Sequence, residues 1–415
     1  MARLGSFWRK VGPGLVTGAS DDDPAGIAIY SQVGAQTGFQ LLWTALLTFP
    51  LMAAIQEICA RIGLVTGRGL AGNLKKHYPR PLLLLLVGLV FAGNALNIGA
   101  DLAAMAAVTQ MLIPALPQWF YAIVFAALIM VSLVVFSYRS IANVLKWIAL
   151  TLLVYLFVPF IAKTDWSQAI QATVVPNLTF NKETVALIVA IFGTTISPYL
   201  FFWQTSMEVE DKMSKVKRFF SRWLVTKHEL RDMEEDVSIG MFLSNVVMWF
   251  VIVAAAVTLN ANGVTNVETV RDAAEALRPI AGDLAYAIFA IGIISVGFLA
   301  IPVLAGSSSY ALSETFGWKE GLERKFYQAK QFYWVIIIST LVGLMIPLLG
   351  INPVKALFYT GIFYGITSPI LIYVILHVAN NKKLMGRYTN SRLSNVLGYA
   401  TFTIMTVAMV LLFVL

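Results

Sequence analysis

Ser20-Asp21-Asp22-Asp23-Pro24-Ala25-Gly26 stands inside an apolar segment, residues 12–36, and its reading decides the fold. Proline has no amide donor, and its ring clashes with the preceding helical turn. It also drives the residue before it, Asp23, out of the α region. A helix that enters this segment must therefore break there. Gly193-Thr194-Thr195-Ile196-Ser197-Pro198-Tyr199 repeats the arrangement in a second apolar segment, residues 184–207. Carbonyls freed by such breaks must be buried in protein or face a watery cavity when the surroundings are lipid.

The rest of the chain puts the surroundings beyond doubt. Of 415 residues 58% are hydrophobic and 13% charged, against roughly 25% charged in a soluble domain. Apolar runs of about 20 residues are each long enough to cross a ~30 Å hydrocarbon core as a helix. Eleven such spans are expected, at about 12–36, 41–60, 81–112, 117–136, 141–162, 184–207, 238–259, 283–314, 331–349, 356–378 and 395–415. The class is an all-α polytopic membrane protein. Alternating ten-residue segments of a β-barrel are absent. Composition excludes a soluble enzyme, a nucleic-acid binder and a disordered scaffold. Cys59 is alone, so no internal disulfide or Cys cluster is available.

Charge alternates along the connections. Those before span 1 and after spans 2, 4, 6, 8 and 10, with Lys146 at the near end of span 5, carry 25 of the 30 basic residues. Lys163, Lys182, Arg271, Arg278 and Lys355 are the others. The positive-inside rule then places the basic tail Met1–Val11 in the cytoplasm and the C-terminus outside. It reads as a tail rather than a cleaved signal, since no small-residue cleavage site follows. The polar stretch 208–237 reads as a cytoplasmic amphipathic connector, and the sequon Asn177-Leu-Thr falls outside.

The two breaks lie in spans 1 and 6, five spans apart. That spacing predicts two five-helix repeats of inverted topology, about 12–162 and 184–378, with an extra helix at 395–415 and a site between the broken helices. Intramembrane carboxylates are costly and mark function. Asp21, Asp22 and Asp23 point 100° apart on a helix, so they cannot all face one cavity unless the helix unwinds. Asp23, next to the break, is the best ligand. Asp21 and Asp22 are expected to line an aqueous approach or cap a half-helix. Asp101 in span 3 is the other deep acid, split between a structural hydrogen bond and the ion path. Glu57 has Arg61 four residues on, so a local pair is expected. Carboxylates beside freed carbonyls select a cation.

These residues resemble a known family. Gly12-Pro13-Gly14, Asp23-Pro24 and Gly34-Ala-Gln36 resemble the first span of the Nramp divalent-metal transporters. Ala60-Arg-Ile-Gly63-Leu-Val-Thr66-Gly67-Arg68 resembles the end of the second, and Asp101-Leu102-Ala103 the third. Asn381-Lys-Lys-Leu-Met-Gly386-Arg-Tyr-Thr-Asn390 with Asn395-Val-Leu-Gly398 resembles the link into the last helix. The resemblance implies an eleven-helix, leucine-transporter-like fold that works by alternating access.

The departures matter most. The family's Asp-Pro-Gly-Asn is Asp23-Pro24-Ala25-Gly26 here, so its metal-binding Asn becomes Gly26. Its Met-Pro-His in span 6 is Ser197-Pro198-Tyr199, so its metal-binding Met becomes Ser197. The resemblance keeps Asp23 and the Thr194 carbonyl as ligands. It gives Gln204 for a second span-6 His and Ala104 for the Glu of span 3. Such departures resemble the Nramp-related magnesium transporters of prokaryotes. The chemistry agrees, because losing a soft thioether removes a bias toward transition metals. Mg²⁺ prefers one or two carboxylates and several retained waters.

The expected metal residues are thus Asp23, Gly26, Thr194 and Ser197, with Asp21, Asp22, Asp101, Tyr199 and Gln204 as a candidate ion path. The expected activity is Mg²⁺ and Mn²⁺ uptake across a plasma membrane without obligatory proton coupling, the metal being substrate and no cofactor required. A proton-coupled Mn²⁺/Fe²⁺ importer of the ordinary family type and a Na⁺-coupled organic-solute symporter remain open. No HExxH run or comparable catalytic constellation supports an enzyme.

Overall fold

The computed structural model describes residues 12–135, 154–176, 181–219 and 225–415. Span 1 is two helices, α1 (Pro13–Asp21) and α2 (Pro24–Thr37). They are followed by α3 (Trp43–Thr66), the short α4 (Leu70–His77), α5 (Arg80–Leu112), α6 (Gln118–Val135) and α7 (Trp166–Val174). The second half holds α8 (Lys182–Thr195), α9 (Pro198–Phe219), α10 (Lys227–Thr258), α11 (Ala285–Phe316), α12 (Lys330–Leu348), α13 (Pro353–Asn380) and α14 (Arg392–Val414). Both helices expected to break do so, α1 from α2 at Asp22-Asp23 and α8 from α9 at Ile196-Ser197.

Nine helical stretches among the described residues are long and apolar enough to cross a membrane, with α8 and α9 taken together. The halves α1 and α2 are each too short to span alone. Most of the expected fifth span, 141–162, lies outside the described residues, as do the tail 1–11 and the sequon at Asn177. The connector 208–237 is helical on both sides, as the end of α9 and the start of α10. A capping box starts α10, with Thr226 and Glu229 bonding each other's backbone amides.

Connections that the charge pattern assigns to one side do meet at one end of the bundle. Arg61 reaches Asn390 at 3.3 Å and Ser394 at 3.4 Å. Tyr388 donates to the Val225 carbonyl at 2.7 Å. Glu314, at the end of α11, accepts from the amides of Gly69 and Gly72 that open α4. At the other end Val267 donates its amide to Gln32 of α2, and Asn352 bonds the Glu268 carbonyl. The Glu57–Arg61 pair forms as expected, one turn apart on α3.

Small residues let the broken helices approach their neighbours. The α10 helix runs along both α1 and α2. A Cβ on Gly18 would sit 2.3 Å from the Gly240 carbonyl oxygen, and one on Gly34 would sit 2.2 Å from that of Ile252. Gly193, just before the second break, lies so tightly on α13 that any side chain would strike the Gly361 carbonyl. Close backbone contact of this kind supplies dispersion energy where lipid offers no hydrophobic drive.

Candidate functional site

Both breaks are built by proline and then repaired by side chains. Pro24 removes the amide that would have bonded the Ser20 carbonyl. The hydroxyl of Tyr199, from the other broken helix, donates to that oxygen at 3.0 Å. Pro198 leaves the Thr194 carbonyl without its helical partner in the same way. Ser197 turns its hydroxyl back onto the Thr194 and Gly193 carbonyls, each at 2.8 Å. Ser368 of α13 donates to the Ile196 carbonyl at 2.8 Å, and Ser307 of α11 to that of Tyr199 at 2.8 Å. A single donor leaves a carbonyl one further lone pair, so the Thr194 oxygen keeps acceptor capacity.

Asp23 sits at the N-cap of α2, with extended backbone and Pro24 at the first helical position. One carboxylate oxygen accepts from the Gly26 amide at 2.7 Å, the other from Asn97 Nδ2 at 2.8 Å. Capping is thus the work of Asp23 and not of Asp21 or Asp22, because only Asp23 immediately precedes the new helix start. Its negative charge also lies at the favourable end of the α2 dipole. Gly26 contributes its amide and no side chain. A Cβ there would lie 3.3 Å from the Tyr30 ring and 3.4 Å from the Asp21 carbonyl.

Asp21 ends α1, and Asp22 lies in the gap between the half-helices. Both are buried rather than lining open water, and both are in reach of the Ser244 hydroxyl of α10, at 2.8 and 3.2 Å. Asp101 is fully buried on α5, and neither of its oxygens has a hydrogen-bond partner. It interacts electrostatically with Asp23, as do Tyr199 and Tyr364. Gln204, also buried, takes a hydrogen bond from Thr17 of α1 and gives one to Glu208 at 2.9 Å. The expected residues therefore gather at the two breaks, except that Gln204 lies one to two turns along α9 from Tyr199.

Sequence reasoning missed Asn97 and Ser244. Asn94, Asn97 and Asp101 fall on one face of α5 at helical spacing, a polar stripe inside an apolar span. That signal could have found Asn97. Asn94 links α5 to α11 and α13, donating to the Leu304 carbonyl and Ser308 and accepting from Tyr364 at 2.9 Å. Nothing in the sequence marks Ser244 among the other small residues of its helix. Among the described residues no three acidic, His or Cys side chains converge as a metal cluster. Asp23 itself is held by the Gly26 amide and Asn97, and Asp101 lies buried near it. A cavity of about 590 Å³ opens between α2, α8 and α13 at the end opposite the basic loops, lined by Gln32, Gln36 and Glu183 among others.

Two broken helices meeting around buried acids, inside a multi-pass apolar bundle, define a membrane transporter rather than an enzyme. The chain belongs to the Nramp family, matching over residues 14–415 the family described as natural resistance-associated macrophage protein-like. Relatives include the divalent metal cation transporter MntH of Granulibacter bethesdensis, 26% identical over 392 residues, spanning 92% of this chain and 83% of that one. MntH of Klebsiella pneumoniae subsp. pneumoniae is 25% identical over 403 residues, spanning 95% of this chain and 91% of that one. The manganese transporter of Eremococcus coleocola has the same fold, with a TM-score of 0.81 at 15% identity, over 97% of this chain and 86% of that one. The nucleobase-cation-symport transporter Mhp1 is similar at a TM-score of 0.60 and 13% identity, over 97% of this chain and 92% of that one.

Proposed function

We propose that this protein, a multi-pass divalent metal cation transporter, carries Mg²⁺ and with it Mn²⁺. It works by alternating access, without obligatory proton coupling, in a cell membrane with its N-terminus in the cytoplasm. Asp23, the Thr194 carbonyl and Ser197 hold the ion, and Gly26 contributes no side chain to it. Residues 12–162 and 184–378 act as two inverted repeats that rock about this site.

The observation that carries the reading is the donor set around Asp23. The metal-binding atoms proposed with it are all oxygens, and the Ser197 hydroxyl, which bonds the Thr194 and Gly193 carbonyls, falls where the resemblance puts the family's thioether. Hard oxygen donors suit Mg²⁺ and Mn²⁺, and without sulfur they give no advantage to softer transition metals. Asp23 is already oriented by Gly26 and Asn97. The Mn²⁺ part is further supported by the manganese transporter with which the chain shares its fold.

The test is uptake of Mg²⁺, Mn²⁺ and Ca²⁺ by the purified chain in liposomes, beside Asp23→Ala. Mg²⁺ uptake that disappears in a well-folded Asp23→Ala protein is expected. Full Mg²⁺ uptake by that variant would remove Asp23 from the site. Transport of Mn²⁺ alone would return the protein to the transition-metal members of its family.

A further inference from the structure

The transport reading makes Asp23 the ligand and gives Asp21 and Asp22 no place on its ion, yet both are buried carboxylates. Asp21 is fully buried and Asp22 nearly so. None of the ion pairs among the described residues involves either one. A buried carboxylate without a counter-charge is strongly disfavoured.

Their surroundings make the deficit sharper. Ser244 Oγ lies 2.8 Å from Asp21 Oδ2 and 3.2 Å from Asp22 Oδ1. A serine hydroxyl has one proton to give, so it can satisfy only one of them at a time. The second Asp21 oxygen, Oδ1, is buried with no partner at all. The Tyr30 hydroxyl, also buried and without a partner, interacts electrostatically with all three aspartates. A native buried polar atom left unpaired calls for a water or an ion. Here two such orphans, Asp21 Oδ1 and the Tyr30 hydroxyl, lie near the same carboxylates, and both are hard oxygen.

We propose that Asp21, Asp22 and Ser244 form a second divalent-cation site, one step along the chain from Asp23 and distinct from it. Two carboxylates match the charge of one dication. Ser244 supplies a neutral oxygen, and retained waters complete the shell, as Mg²⁺ prefers. The site joins the end of α1 to the middle of α10, whereas Asp23 belongs to α2 and is held by α5. The second site therefore spans the α1 side of the break and the gap, and Asp23 opens its α2 side. An ion held between α1 and α10 ties one half of a broken helix to a helix of the other half of the chain. This inference goes beyond the transport reading and does not require Asp23 to be the transport ligand.

The experiment counts bound ions in the purified full-length chain, with Mn²⁺ alone as the probe, read by the loss of its free electron paramagnetic resonance signal. The wild type should bind two Mn²⁺ per chain, both displaced by excess Mg²⁺. Asp21→Asn with Asp22→Asn should bind one, and Asp23→Ala should also keep one. Ser244→Ala, which removes a single atom and should fold, should weaken one of the two classes by tenfold or more. One Mn²⁺ in the wild type would overturn the proposal, since the carboxylates would then be sharing a proton. So would a two-step titration unchanged in Ser244→Ala or in the double Asn variant. If Asp23→Ala abolishes a single bound ion, the transport site stands and the second site falls. If Asp23→Ala changes nothing while the double Asn variant loses an ion, the reverse holds.

Discussion

The Tyr199 hydroxyl donates to the Ser20 carbonyl at 3.0 Å, joining the two broken helices at their breaks. It replaces the very amide that Pro24 lacks. In the resemblance to the family Tyr199 falls where span 6 carries a His, and here its hydroxyl bonds the backbone of the other broken helix. Tyr199→Phe keeps the ring and deletes the strut. The Ser20 carbonyl would then be buried without a donor, at a cost of about 1–2 kcal/mol. A Tm a few degrees lower is expected, with Mg²⁺ binding still measurable. An unchanged Tm would show that another group takes over the carbonyl.

Asn97 touches no ion in the proposed site, but it fixes one oxygen of Asp23 at 2.8 Å. Partners of this kind orient a ligand, and their loss commonly costs 10–100-fold in metal affinity. Asn97→Ala should weaken Mg²⁺ binding by about that factor in calorimetry, with little change in fold. Asn97→Asp would place a second carboxylate beside the first and should weaken orientation while adding charge. Equal affinity in Asn97→Ala and wild type would mean that the Gly26 amide alone positions Asp23.

Ser197→Met combined with Gly26→Asn rebuilds a softer and tighter site. The cost is visible in the structure. Ser197 would no longer satisfy the Gly193 and Thr194 carbonyls, and a side chain at 26 would press on Tyr30. Roughly tenfold lower Mg²⁺ uptake is expected, the equivalent of losing about 1.4 kcal/mol, with transition metals gaining on Mg²⁺. An unchanged metal preference in the folded double variant would move selectivity away from these two positions.

Beyond the membrane-spanning helices, Glu320 lies in the connection after α11. Burial pushes its carboxyl up to about 9, and the charges of Glu314 and Glu210 add to the effect, against Arg324. The folded state therefore holds this proton more tightly than the unfolded chain, whose value is near 4.5. Its contribution to stability is complete below about pH 4.5 and is lost as pH rises through 9. Wild-type Tm in detergent should fall across that window. Glu320→Gln, neutral at every pH, should flatten the fall and be the more stable protein at pH 9. Parallel curves for the two proteins would show that Glu320 is not the group responsible.

Much of this arrangement is legible in the sequence because proline rules are local. Pro24 and Pro198 dictate breaks wherever the rest of the chain goes, and the breaks are where expected. Charge in the connections is also local, and the loops it groups do meet at one end. What bonds to the freed groups is not local. Tyr199 reaches back 179 residues to Ser20, and Ser244 lies 223 residues from Asp21. No periodicity encodes those meetings, so the role of Tyr199 and the partners of Asp21 and Asp22 needed coordinates. The position of Asp23 as cap could have been read, since an Asp directly before a Pro is a helix-start signal.

Metal movement should not carry protons with it. A relay through the membrane needs groups that titrate, arranged in series. By the resemblance, the family's two span-6 His positions fall on Tyr199 and Gln204 and its span-3 Glu on Ala104. Tyr199 is committed to the Ser20 carbonyl. Gln204 bridges Thr17 and Glu208 as an amide, which passes a hydrogen bond but does not change charge near neutral pH. Span 9 carries no Arg between Gln331 and Ile346 to answer a change of charge. Asp101 remains, buried close to Asp23, but the following position that would pass a proton on is Ala104. Asp23 can still exchange a proton with its metal, so binding can depend on pH without transport being coupled. Liposomes containing the purified chain and a pH dye separate the two. Under an inward Mg²⁺ or Mn²⁺ gradient the lumen should take up metal and hold its pH. Acidification that scales with metal uptake, and stops when metal is omitted, would show coupling and put Asp101 and Glu208 in the proton's path.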